Sequence, residues 1–308
     1  MDGLRNAVES VALRVTTFPI HILPRRVAVE FGAWLGRVGW WLGFRRRRAL
    51  ANLAQTFPEL TDADRRAIGR AAAGHMGRTM AEFLRFAGDD RRRVSEFVAL
   101  DGLDALRAAL AEGRGAVVVT AHLGAWALYV TALAAAGIPA AILVGKQRNP
   151  LVDRLILGIP GDAVVFISKG KGAPRHILEC LHAGQAVVMV ADHYSSSEAV
   201  WAPFLGKSAS TLPLPGAFVA KHHLPLFLMC GHRAADGQHR VGVRRLELDE
   251  ALDGDDLRLE VAVVCNRELG REIQAHPDQY WWYHDRWKVR GSYRKRKQIL
   301  GAPPVASS

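Results

Sequence analysis

VVVTAHLGAWAL, residues 117–128, decides the fold. An apolar run, Ala116-Val117-Val118-Val119-Thr120, carries a lone imidazole, His122, into a turn containing Gly124, after which Trp126, Leu128, Tyr129 and Leu133 fall at helical spacing. A short apolar run without polar alternation reads as a strand buried on both faces, and such strands belong to parallel sheets covered by helices. A histidine at a strand-to-helix junction is held by rigid elements while its ring can face a cleft, which is where a general base sits. Position alone equally allows His122 to cap the helix or fill the core.

Outward from this unit the same alternation recurs. Strands are predicted at 115–121, 139–144, 163–168, 186–191 and 225–231, with helices near 125–136, 150–157, 173–183 and 214–223. That order predicts an α/β fold with a mainly parallel central sheet flanked by helices. Ligands of such sheets bind beyond the carboxyl ends of the strands, where His122 and Asp192 both fall. Residues 236–261 alternate less cleanly and leave room for an edge strand or two. From 266 to 287, NRELGREIQAHPDQYWWYHDRW reads as helical, and on a helix Tyr280, Trp281 and His284 would share one face.

Upstream, residues 49–112 carry three helical patterns separated by Pro58 and the turn Gly88-Asp89-Asp90. Before them, FPIHILPRRVAVEFGAWLGRVGWWLGF (18–44) places Phe31, Trp34, Leu35, Val38, Trp41 and Leu42 at three- and four-residue steps and runs into Arg45-Arg46-Arg47-Arg48. Arg25, Arg26, Glu30 and Arg37 interrupt it, so no charge-free span reaches membrane-crossing length. The pattern predicts an N-terminal amphipathic helix lying in a bilayer interface, or a short tilted anchor, with the basic run against anionic headgroups. A core helix followed by a solvated basic turn fits the same window. The expected organisation is a membrane-associating helical segment (1–48), an α/β domain (49–298) and a flexible tail (299–308).

Of 308 residues, 41 are Lys or Arg and 30 Asp or Glu, a formal charge of +11 that points to a polyanionic partner. Helix-turn-helix spacing and aromatic-basic modules are missing, so nucleic acid is not the expected one. Cys180, Cys230 and Cys265 are odd in number and far apart, which suggests neither a disulfide framework nor a zinc site and fits a reducing compartment. The N-terminus lacks the order of a cleaved signal, so export by that route is not expected. No phosphate-binding glycine fingerprint occurs, and His222-His223 has no acid at metal-ligand spacing.

Several separated segments resemble the lipid A biosynthesis lauroyl/myristoyl acyltransferases of the lysophospholipid acyltransferase superfamily, from about residue 20 to 290. They are ALANLAQTFPEL (49–60), AHLGAWA (121–127), KQRNPLVDRLI (146–156), GQAVVMVADH (184–193), WAPFLGKSASTLPLPGAFVAKHHLPLFL (201–228) and, most specific, HPDQYWWYHDRWKVR (276–290). The resemblance implies a membrane-associated enzyme that moves an acyl chain from acyl carrier protein, or a coenzyme A thioester, to a hydroxyl of a lipid or glycolipid acceptor at the cytoplasmic face of an inner membrane. It implies no cofactor and no metal. The partners implied are acyl carrier protein, the acceptor and an anionic membrane surface.

By the resemblance His122 is the base. Its usual partner, an acid five positions on, is here Ala127, and Ala125 replaces the family's asparagine. Asp192 is the candidate substitute; it either orients His122 or caps the element that follows through Ser195 to Ser197. Glu82 stands at a family-like position, yet its helical spacing suits a pairing with Arg85 equally well. Candidate substrate-binding residues are Arg148, Asn149, Gly124, Gly206, Thr211 and Arg233, with backbone amides near Gly124 or Gly206 as an oxyanion site. Arg148, Arg175, Lys169 and Lys171 could gather a phosphate, although a solvated basic rim explains the lysines as well. LILGIPGDAVVF (155–166) lacks the arginine that the family carries there. A catalytically lapsed homologue that binds acyl chains or acyl carrier protein is the alternative.

Overall fold

The computed structural model describes residues 18–86, 89–145, 163–195 and 200–288. In chain order the helices are α1 (Arg25–Trp41), α2 (Arg46–Thr56), α3 (Asp62–Phe86), α4 (Leu103–Ala111), α5 (Trp126–Ala135), α6 (Ala173–His182), α7 (Leu214–His222) and α8 (Gly254–Ala275). The strands are β1 (Val98–Asp101), β2 (Ala116–Thr120), β3 (Ala140–Val144), β4 (Val164–Ser168), β5 (Ala186–Val190), β6 (Val200–Phe204), β7 (Lys207–Thr211), β8 (Leu226–Arg233) and β9 (His239–Arg245). Seven of them form one sheet in the order β1-β9-β8-β2-β5-β3-β4, and β6 and β7 pair as a separate hairpin. Every neighbouring pair in the large sheet is parallel except β8 with β9.

The central strands β2, β3 and β5 read as continuous apolar runs because both faces of the sheet are covered there. Val117, Val119, Val187 and Met189 enter one core with α2, α6, α7 and α8, while Val118, Val188, Phe227 and Met229 enter the other with α4 and α5. Near the N-terminus α1 lies on α3 at glycine contacts. A Cβ on Gly36 would stand 2.0 Å from the Ala73 carbonyl and one on Gly77 2.0 Å from the Gly32 carbonyl. Only hydrogen side chains allow the two backbones this close.

The five predicted strands and three of the four predicted helices are present; the helix expected at 150–157 lies outside the described residues. Three expectations need correction. The 236–261 region supplies β9, which sits inside the sheet rather than at its edge, and β1 and the β6–β7 hairpin were not foreseen. The last helix starts at Gly254 and ends at Ala275, because Pro277 cannot continue it; residues 280–288 are not helical and present no helical face. The basic run does not trail α1 but opens α2. Among the described residues no helix is long and apolar enough to cross a membrane.

Candidate active site

β2 and β5 are parallel neighbours with Thr120 opposite Val190. Parallel strands with aligned ends deliver residues at equal offsets to one place beyond the sheet. His122 and Asp192, each two positions past those partners, therefore meet. The His122 ring donates its Nδ1–H to Asp192 Oδ1 at 2.8 Å, and the His122 backbone N–H donates to Asp192 Oδ2 at 3.1 Å. Because an ionised carboxylate only accepts, this pairing fixes the tautomer and leaves Nε2 with its lone pair free. Asp192 is fully buried, which by itself would raise its pKa. The imidazoles around it, His122 foremost and then His193 and His284, together outweigh burial and hold the carboxyl well below the usual range.

Two more imidazoles close around the first. His193 stacks on His122 with ring centroids 3.7 Å apart, and His284 meets His193 edge-on at 3.5 Å. Burial, reinforced by His122, pushes the His193 pKa down, and burial takes that of His284 to about 4, so both rings are neutral at pH 7. The His122 side chain keeps 15% of its accessible surface and lines a narrow cleft with Met76, Thr79, Trp126 and Trp281. His122, Asp192 and His193 also bring ligand atoms within 4.8 Å of one another, a spacing that could hold a cation. In this arrangement the carboxylate already serves the imidazole.

Acid should expose the cost of keeping His193 and His284 uncharged. Their folded pKa values lie below the ordinary 6.5, so the unfolded chain binds protons first. Stability is expected to fall as pH drops from 6.5 towards 4, with His284 contributing on the order of 3 kcal/mol of that loss. Thermal melts across this window, compared with His284→Gln, check it; an equal slope in the variant would refute the assignment.

The C-terminal segment reaches the site as a short antiparallel strap. Gly124 N–H donates to the Gln279 carbonyl and Trp281 N–H to the His122 carbonyl, both at 3.1 Å. Tyr280 and Trp282 are buried packing residues. Arg286, also buried, donates to the Ser210 carbonyl and Thr211 Oγ1 and lies over Phe204, tying the strap to the β6–β7 hairpin. No local pattern announced that role; only the strap's path shows it.

A second relay holds the turn from behind. Ala125 N–H donates to the Tyr129 hydroxyl at 3.0 Å, which in turn donates to His239 Nδ1 at 3.2 Å. His239 Nε2–H faces both oxygens of Glu82, and Glu82 also receives Arg25 and Arg233. Gly124 has a left-handed φ of 58°, and a Cβ there would lie 2.2 Å from the Tyr129 hydroxyl. Tyr129→Phe strands the Ala125 N–H and His239 Nδ1 in the core. It is expected to cost about 1–3 kcal/mol of stability and to loosen His122. Urea unfolding measures the first effect and kcat the second; unchanged values in both would remove the relay.

The other expected residues are placed as follows. Gly124 spends its amide on Gln279, so that amide is not an oxyanion donor. Gly206, at φ 83°, serves the turn of the β6–β7 hairpin. Thr211 is buried and accepts from Asn266 Nδ2 and Arg286. Arg233 directs its guanidinium into Glu82. Arg175 pairs with Glu179, and Lys169 lies near Asp192 with its pKa lowered by burial. Arg148 and Asn149 lie outside the described residues, as do Ser196 and Ser197. Glu82 does not pair with Arg85, which instead donates to the Ile20 and Leu23 carbonyls. The three cysteines are free and buried.

This geometry sits in a chain whose residues 5–289 match the sequence model of the bacterial lipid A biosynthesis acyltransferases. The chain belongs to that family. It is an acyltransferase. Similar proteins include lipid A biosynthesis acyltransferase 2 of Shigella flexneri, 24% identical over 275 residues that cover 86% of this chain and 84% of the relative. The lipid A biosynthesis myristoyltransferase of Escherichia coli K12 is 24% identical over 292 residues, 92% of this chain and 85% of its own. The lipid A biosynthesis acyltransferase of Haemophilus influenzae is 23% identical over 254 residues, 80% and 78% of the two chains.

Proposed function

We propose that this acyltransferase moves a fatty acyl group from acyl carrier protein, with coenzyme A thioester as the second donor, to a hydroxyl of a lipid or glycolipid acceptor, as in lipid A biosynthesis. It works at an anionic membrane surface on the cytoplasmic face of the inner membrane. The observation that carries the chemistry is the 2.8 Å bond from His122 Nδ1 to Asp192. With Nδ1 occupied, Nε2 takes the acceptor's hydroxyl proton as its oxygen attacks the thioester carbonyl carbon. The C–S bond then breaks, and the departing sulfur receives the proton back from Nε2. Asp192 stabilises the transient imidazolium, while His193 and His284, both neutral, add no competing positive charge.

Exposed apolar side chains support the membrane reading: among the described residues before position 45, Phe18, Ile22, Val27, Trp34, Trp41, Leu42 and Phe44 are exposed. Aromatic and aliphatic groups beside a basic run are what an interface with anionic lipid selects.

A thioester-release assay with a lipid acceptor tests the reading, with acyl carrier protein and coenzyme A donors compared directly. Acceptor-dependent release supports it; acyl binding without turnover would favour a lapsed homologue. In the same assay Ala127→Glu is expected to bring no gain. Ala127 is buried in an apolar cluster with Phe83 and Leu128, and Asp192 already holds the Nδ1 proton. A rate increase in that variant would show that Asp192 is not the working partner.

A further inference from the structure

Among the clefts formed by the described residues, two that carry several arginines differ in charge balance. One, of about 810 Å³, is lined by Arg25, Arg26, Arg78 and Arg233. Its cations are largely satisfied: Arg78 forks onto Glu30, Arg25 and Arg233 onto Glu82, and His75 meets Asp278. An anion entering there would have to break existing ion pairs. The other, of about 850 Å³, is lined by Arg45, Arg47, Arg48 and Lys288 against the single carboxylate of Asp285, which pairs with Arg48. Gln55 lines the same cleft, and its Nε2 reaches no acceptor among the described residues.

The surroundings of this second cleft add to its appetite for an anion. Arg46, Arg47 and Arg48 occupy the first turn of α2, which carries no acid of its own; among the described residues the carboxylate paired with them is Asp285, on Arg48. A helix amino terminus is already electropositive, so three cations placed there repel it unless a negative group is bound between them. The turn leading into Arg45 presents Trp41, Leu42 and Phe44 to solvent, at 77, 70 and 60% exposure. Apolar and aromatic groups next in the chain to the arginines of a cationic cleft match the layering of a bilayer surface, with acyl chains next to phosphates.

We propose that this cleft binds the phosphate-bearing headgroup of an anionic membrane lipid, at a site separate from the His122 cleft; the proposal rests on the membrane reading above. The cleft is tied to the strap that carries His284. Arg45 donates to the Tyr283 carbonyl at 3.1 Å, and Asn52 donates to the carbonyls of Trp282 and His284 at 2.7 and 2.8 Å. A lipid held there docks the enzyme through the same residues that anchor the strap.

The test uses the full chain and vesicles of phosphatidylcholine alone or mixed with phosphatidylglycerol, with soluble dihexanoyl phosphatidylglycerol as a monomeric probe. Arg47 and Lys288 are exposed, so Arg47→Gln with Lys288→Gln removes charge without disturbing the core. This double variant is expected to lose about thirtyfold in affinity for the mixed vesicles and a comparable factor for the soluble probe. Trp41→Ser with Phe44→Ser is expected to lose vesicle binding and keep the soluble probe. Wild-type binding of both anionic probes that the charge variant leaves untouched overturns the cleft assignment while sparing the membrane reading. A wild-type chain that binds mixed vesicles no better than phosphatidylcholine overturns both. If the charge variant loses acyl carrier protein but still binds mixed vesicles normally, the cleft belongs to the carrier and the proposal fails.

Discussion

Asp192→Asn is expected to lower kcat by about 10³- to 10⁴-fold with little change in KM, the loss seen when an orienting carboxylate is neutralised in a histidine-dependent triad. The amide keeps the shape and can still accept the His122 backbone N–H, so the fold should persist. What changes is the ring. An amide that donates to Nδ1 forces the proton onto Nε2, and the base then has no lone pair to offer. His122→Ala is expected to fall at least as far, and the double variant no further than the worse single one, because residues acting as a unit are not additive. Single-turnover measurements at saturating donor and acceptor decide the matter. If Asp192→Asn stays within about tenfold of wild type, Asp192 is a structural cap and the proton is handled elsewhere.

Glu82→Ala should produce the largest loss of stability, about 3–5 kcal/mol, because removing one partner of a buried ion pair strands the other charges. Glu82 is fully buried and Arg233 nearly so, at 0% and 8% side-chain exposure. The carboxylate joins α1 through Arg25, β8 through Arg233 and β9 through His239, so its removal loosens three elements around the His122 turn together. Burial alone would raise the Glu82 pKa, but His239 and Arg233 overcome it and hold the carboxyl far below its ordinary value. Its contribution is thus complete above the unfolded carboxyl range and lost only as pH falls through the lower folded value. Equilibrium urea unfolding at neutral pH measures the cost. A change under about 1 kcal/mol would mean that the two arginines find other partners or water.

Much of this was legible one residue at a time. The apolar runs at 116–120, 140–144 and 186–190 could only be strands covered on both sides, and that fixed the parallel sheet and put His122 and Asp192 beyond its carboxyl edge. The 277–288 segment defeated periodicity. Its aromatics are spaced by their packing against α2 and the β6–β7 hairpin, and Pro277 ends the helix that the pattern seemed to extend. β1 was missed because four residues with a mixed burial pattern carry too little alternation to stand out. Helical spacing left Arg85 open as a partner of Glu82 because such spacing sees only neighbours on the same helix. The actual partners of Glu82 are 57, 151 and 157 positions away.

Local chemistry in the chain determined that β2, β3, β4, β5 and β8 become strands, that the sheet is mainly parallel, and that an imidazole and a carboxylate emerge beyond its carboxyl edge, since these follow from apolar periodicity and chain direction alone. Tertiary structure decided that Asp192, seventy positions from His122, is the carboxylate that holds its ring nitrogen. The reason is the register of β2 on β5, with Thr120 opposite Val190, which depends on how two strands separated in the chain by α5, β3, β4 and α6 align their cores. Pairings across that distance are written in packing, and packing is a property of the folded chain.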